Sequence, residues 1–192
     1  LNDTEWSPLR EAAFTVVRPW DALRVTEIHY HPAPDVAMPE SDEIPEFLEL
    51  LNTSGSTVDL TGLYFAQGIE HAFTPAAKLE PGARLVLTSS RAQFEVRYPG
   101  TIAHGEFRGS LANSGEAIVL VDAAGNEVLA VEYDDEGEWP QGPDGFGWSL
   151  VIADPVLDSN DPASWRASAR IGGSPGQADA AHAPWGVVIN EA

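Results

Sequence analysis

Apolar residues recur at every second position through several short stretches of the chain, the period expected of a strand with one buried face. In "EFLELLN", Phe47, Glu49 and Leu51 fall on one face and Leu48 and Leu50 on the other. In "AIVLVD", Ile118 and Leu120 face opposite to Val119 and Val121, and both faces are apolar, as in a central strand of a sandwich. The pattern predicts strands over 13–17, 23–30, 46–52, 57–60, 63–66, 84–89, 117–122, 127–133 and 148–152. Turn pairs separate them: Ser54-Gly55, Pro81-Gly82, Asn113-Ser114-Gly115 and Gly125-Asn126. "VLVDAAGNEVLAVEY" reads as a hairpin turning over 123–126. Only "SSRAQFEVRY" has a helical pattern, with Ser89 or Ser90 as N-cap and Phe94 and Tyr98 four apart. About eight or nine short strands with one short helix predict an all-β sandwich. Glu27 and Glu49 lie in strands expected to be neighbours.

The ends read differently from the middle. Residues 1–22 read as the end of a preceding module plus a linker, 23–177 as the compact unit, and 178–192 as a linker and a further strand start. "ADAAHAPWG" has linker composition. The run Val187-Val188-Ile189-Asn190-Glu191 repeats the lead-in of Leu23-Arg24-Val25-Thr26-Glu27, as the first strand of a next repeat would. The opening residues lack the basic start and apolar core of a signal peptide, which in an excised module says nothing of secretion. No apolar run is long enough to cross a bilayer, so no membrane insertion is expected.

Charge changes the picture most. The chain has 30 acidic residues against 10 basic ones, a net charge of −20, and Lys78 is the sole lysine. Such a surface repels phosphate backbones and anionic lipid, so a nucleic-acid partner is not expected. Acidity of this kind serves solubility, salt tolerance or extracellular calcium sites. With no cysteine, disulfides, thiolate metal sites and cysteine nucleophiles are excluded.

In order along the chain stand "RVTEIHYHP", "EFLELLNTSGSTVDLTGLYF", "LEPGARLVL", "GSLANSGEAIVLVDAAGNEV", "EWPQGPDGFGWSLVIAD" and "SWRASARIGGSPGQAD". This succession resembles the lamin-tail domain in the form found in bacterial exported proteins. The resemblance implies an immunoglobulin-like β-sandwich, and a module of a large multidomain secreted or cell-surface protein with neighbouring modules in the same chain. It implies a non-catalytic role: structural, adhesive or protein-docking. The DNA role of the nuclear lamins does not carry over to a chain with one lysine and no coiled-coil rod.

Candidate chemistry is sparse. "GGSPG" at 172–176 matches the G-x-S-x-G string of a nucleophile elbow, but Pro175 has no N–H for an oxyanion, so Ser174 reads as part of a closing turn. "EIHYHP" places Glu27, His29 and His31 on one strand face, a possible zinc pattern. Histidines at such a strand end, beside Pro32, are ordinarily solvated. Glu27 and Glu49, with loop acids Asp134, Asp135 and Asp144, are candidate calcium ligands; the plain alternative is that the two glutamates accept hydrogen bonds from loop N–H groups. As a glycosidase's acid pair they lack a cleft-forming insertion. Trp139, Phe146 and Trp148 sit in the Gly/Pro loop "WPQGPDGFGW" and are candidates for gripping a protein or stacking on a sugar. Burial is the better reading for Trp148 and Trp165. The expected function is a non-catalytic extracellular docking module, with a carbohydrate-binding module of an exported enzyme as the alternative.

Overall fold

The computed structural model describes residues 20–33 and 44–180. The strand expected at 13–17 and the one starting near 187 lie outside these residues. Among the described residues the chain is mostly β, with eleven strands and one α-helix. In order these are β1 (Leu23–His29), β2 (Phe47–Asn52), β3 (Val58–Asp59), β4 (Tyr64–Gln67), β5 (Lys78–Leu79) and β6 (Arg84–Thr88). Then come α1 (Arg91–Arg97), β7 (Gly105–Glu106), β8 (Glu116–Val121), β9 (Glu127–Tyr133), β10 (Leu150–Ile152) and β11 (Trp165–Ala167). The strands missed by the pattern are β5, β7 and β11, each two or three residues long and too short to show a period.

A six-stranded sheet runs β11-β10-β1-β2-β6-β7, a three-stranded sheet runs β4-β8-β9, and β3 pairs with β5. Leu23, Val25, Leu48, Leu50, Leu85 and Leu87 of the large sheet share one core with Phe65, Ile118, Leu120 and Val131 of the smaller one. This is the immunoglobulin-like sandwich, with side chains of the two inner faces interdigitating. The hairpin of β8 and β9 closes over 122–126, where Asp122 N–H bonds the Asn126 carbonyl at 2.9 Å.

The large sheet also has a covered outer face. There Phe47 and Val86 pack against Phe94 of α1 and Ala103, with Tyr98 alongside. The helix is only seven residues, too short to stand alone, and is held by that packing and by its cap. Ser90 is extended (φ −147°) and its hydroxyl accepts from the Gln93 N–H. Ser90→Ala is expected to lower the unfolding free energy by about 1 kcal/mol. A urea midpoint unchanged from wild type would show the helix is held by packing alone. No helix among the described residues is long and apolar enough to cross a membrane.

A β-bulge in β1 decides what lies on the outer face. Val25 pairs with Leu50 and Glu27 with Glu49, leaving Thr26 as the extra residue. Before the bulge Leu23 and Val25 enter the core; after it Ile28 and Tyr30 do. The phase of the strand shifts by one, and Glu27 and His29 turn to the outer face beside Phe47.

Candidate functional site

Glu27 and Glu49 are direct cross-strand partners, 1% and 0% exposed. Two neighbouring carboxylates out of water need donors, and the fold supplies them from far along the chain. Glu27 Oε1 accepts from Ser149 Oγ at 2.5 Å and from the Ser174 N–H at 2.8 Å, and Oε2 accepts from Ser174 Oγ at 3.2 Å. Glu49 Oε1 accepts from Thr26 Oγ1 at 2.6 Å and from the Arg84 guanidinium; Oε2 accepts from the Gly176 N–H at 2.7 Å. Burial pushes the Glu27 carboxyl up to about 7 and the Glu49 charge adds to the rise, against the Ser149 and Ser174 hydrogen bonds. Burial also raises Glu49, opposed by Arg84, Thr26 and Gly176.

Ser174 and Gly176 belong to a strap that runs over the outer face. Gly172 N–H bonds the Gly147 carbonyl at 2.6 Å, and Tyr98 Oη donates to the Gly172 carbonyl at 2.7 Å. At the far end Asp179 accepts from the Ala169 N–H at 3.0 Å and pairs with Arg166. Gly173, at φ +77°, passes so close that a Cβ there would lie 2.1 Å from Glu27 Oε1. The "GGSPG" stretch is thus the segment that the two glutamates pin down. Between strap and sheet remains a hollow of about 150 Å³, lined by Thr26, Glu27, Arg84, Arg166 and Asp179 among others.

The histidines part company. His29 is buried, with its ring centroid 5.1 Å from that of Phe47. Neither of its ring nitrogens reaches a hydrogen-bond partner; the Gly147 backbone is near but not in bonding geometry. Burial, with the Arg97 charge nearby, pulls the imidazole down to about 3. The expectation of a solvated histidine is therefore corrected for His29: the bulge turns it onto the outer face beside Phe47, where the covering residues bury it. His31 Nδ1 instead lies 2.7 Å from Asp144 Oδ1, and both side chains are partly exposed.

The candidate calcium residues fall into two places. Glu27 and Glu49 are under the strap, while Asp134, Asp135 and Asp144 are on the loop after β9. Asp134 Oδ1 accepts from the N–H groups of Asp135 and Glu136 at 2.8 and 2.9 Å, and these bonds hold its pKa below the usual value. Among the described residues no three His, Asp or Glu side chains are placed to hold one metal ion.

The aromatic loop also divides. Trp139 is 9% exposed and packs on Trp165 with ring centroids 6.3 Å apart, so it closes the core and is not a surface ring. Burial of Trp165 is as expected, whereas Trp148 is only partly buried, lying over Gly142. Phe146 is 64% exposed, and Ile171, 62% exposed, reaches the Gly147 backbone beside it, where a Cβ would lie 3.1 Å from Ile171 Cγ2. Sequence reasoning missed Ile171 and the donors Ser149, Arg84 and Gly176. Arg84 alone left a signal, since it stands two residues along β6 from Val86, the register partner of Glu49.

A family described as Lamin Tail Domain matches residues 19–135. No curated protein and no solved structure matches. The matched stretch holds both glutamates, while Ser149 and the strap lie beyond it.

Proposed function

The chain belongs to the lamin tail domain family, and from that premise we propose that it is a non-catalytic structural or protein-docking module of a large secreted or cell-surface bacterial protein. The observation that carries the docking reading is the exposed pair Phe146 and Ile171 on adjoining turns. Two large exposed apolar residues on adjoining turns suit the centre of a protein contact. The non-catalytic reading draws support from Glu27 and Glu49, whose oxygens are taken up by the chain's own donors rather than turned to solvent. A net charge of −20 argues against a nucleic-acid partner.

Phe146→Asp tests this. The variant is expected to keep its urea midpoint within about 0.5 kcal/mol of wild type, as exposed positions do. It should lose a stoichiometric complex with an isolated cell-surface protein of the same source, measured by size exclusion with light scattering. Complex formation unaffected by the substitution would remove this patch from the docking reading. The alternative, a carbohydrate-binding module attached to an exported enzyme, rests on the same exposed ring, which can stack on a sugar face. A glycan array bound by wild type and not by Phe146→Asp, with no protein complex formed, would favour it.

A further inference from the structure

Both sheets end at an edge strand, β4 in the small sheet and β7 in the large one. Where these edges meet the turn after β4, the surface holds an open hollow of about 450 Å³. Tyr64 and Phe65 line it from β4, Glu70 and His71 from the turn, and Glu106 and Arg108 from β7 and the residues after it. We propose that this hollow binds a neutral hexose oligosaccharide, with a sugar face against the Tyr64 ring and two neighbouring hydroxyls bridging Glu70 and Arg108. The site is separate from the Phe146 and Ile171 turn and does not rest on the docking reading.

Four observations lead there. First, the walls are positioned by the backbone. Glu70 N–H bonds the Arg108 carbonyl at 2.9 Å, Arg108 N–H bonds the Glu70 carbonyl at 3.0 Å, and Phe65 N–H bonds the His71 carbonyl at 2.9 Å. His71 Nδ1 donates to the Glu106 carbonyl at 3.0 Å, and its ring stands edge-on to Phe73 with centroids 5.0 Å apart. Gly105 makes room for that ring, since a Cβ there would lie 2.6 Å from His71 Cε1. Second, binding groups are left over. Glu70 and Arg108 are partners across an antiparallel bridge, yet among the described residues neither side chain makes a hydrogen bond or ion pair. Side by side they offer an acceptor and a donor fork, which two neighbouring hydroxyls satisfy together: one donates to the carboxylate and the other accepts from the guanidinium. Glu106 Oε2 is already taken by the Arg91 N–H and is not needed here. Third, the hollow is part apolar. Tyr64 is 39% exposed, and Phe65 and Ala72 line the same surface. An aromatic wall with a few polar groups suits a sugar, which has an apolar C–H face and a hydroxyl rim. Fourth, charge excludes the competitors. An anion meets the repulsion of a net charge of −20, a cation meets the Arg108 guanidinium, and a neutral ligand meets neither.

The test is a ¹⁵N–¹H NMR titration of the whole chain with cellotetraose, maltotetraose and mannotetraose, against sodium acetate and the zwitterion glycylglycine at matched ionic strength. At least one of the three sugars is expected to give saturable shifts centred on 64–72 and 105–108. Arg108→Ala, at an exposed side chain, should weaken that binding about tenfold, the loss of a charge-assisted contact, and keep the wild-type thermal midpoint. Tyr64→Ala should weaken it about as much, while Tyr64→Phe, which keeps the ring, should bind as wild type. Phe146→Asp should leave the binding unchanged, so that failure of the docking face and failure of this site read separately. No saturable shift from any of the three sugars, shifts centred on Phe146, tighter binding of acetate or glycylglycine, or an Arg108→Ala or Tyr64→Ala variant that binds as wild type would each overturn the proposal.

Discussion

Between pH 4.5 and pH 7, Glu27→Gln is expected to gain on the order of 3 kcal/mol of stability relative to wild type. The sign follows from proton counting. Burial raises the folded carboxyl from 4.5 to about 7, so across that window the native state holds a proton that the unfolded chain has released. Stability from this group is full below 4.5 and is lost as the pH climbs through 7. Glutamine keeps an oxygen for Ser149 and the Ser174 N–H, offers an N–H to Ser174 Oγ, and does not titrate. His29 works in the opposite direction. Its folded value of about 3 against 6.5 means that below 6.5 the unfolded chain binds a proton the native state refuses. Between 4.5 and 6.5 the two slopes oppose each other, and the wild-type profile is expected to be shallow there. Glu49, also raised, adds to the Glu27 slope, and its pairing with Arg84 limits the rise. Urea unfolding of both proteins at half-unit pH steps measures this. Parallel curves would mean that Glu27 is ionised throughout and the assignment is wrong.

Gly173→Ala is the second large effect, with an expected loss of about 3 to 5 kcal/mol from left-handed backbone strain plus overpacking. The residue sits at φ +77°, and its Cβ would fall 2.1 Å from Glu27 Oε1, 2.6 Å from Ser149 Oγ and 3.1 Å from the Phe47 ring. None of these neighbours is free to yield. The carboxylate is held by three hydrogen bonds, the serine is buried, and the ring is clamped by Phe94 and Tyr98. The urea midpoint reads the loss. A variant within 1 kcal/mol of wild type would show that the strap swings away from the sheet at little cost, contrary to the tight closure described.

The alternation of Leu48 and Leu50 against Phe47 and Glu49 was legible because period two reports directly on which face is buried. The adjacency of Glu27 and Glu49 followed from strand order. The bulge left a trace as well: the core positions Val25 and Ile28 are three apart, not two, in "RVTEIHY". The glutamates' partners were not legible, because Ser149 and Ser174 stand 122 and 147 residues from Glu27 and no local pattern encodes such a pairing. The burial of Trp139 was not legible for a related reason. A loop side chain has no period, and only the arrival of Trp165 from another strand tells that it points inward.

The strap has a consequence for how the chain matures during synthesis. Among the described residues every strand of the two larger sheets precedes residue 172 in the sequence, so the strands of the sandwich leave the ribosome before its cover does. Until Ser174 and Gly176 leave the ribosome, the Glu27 and Glu49 carboxylates remain hydrated and charged side by side. Closure of the strap exchanges that water for the N–H groups of Ser174 and Gly176. A chain halted before residue 173 is expected to carry an open acidic furrow where the finished chain carries a covered one.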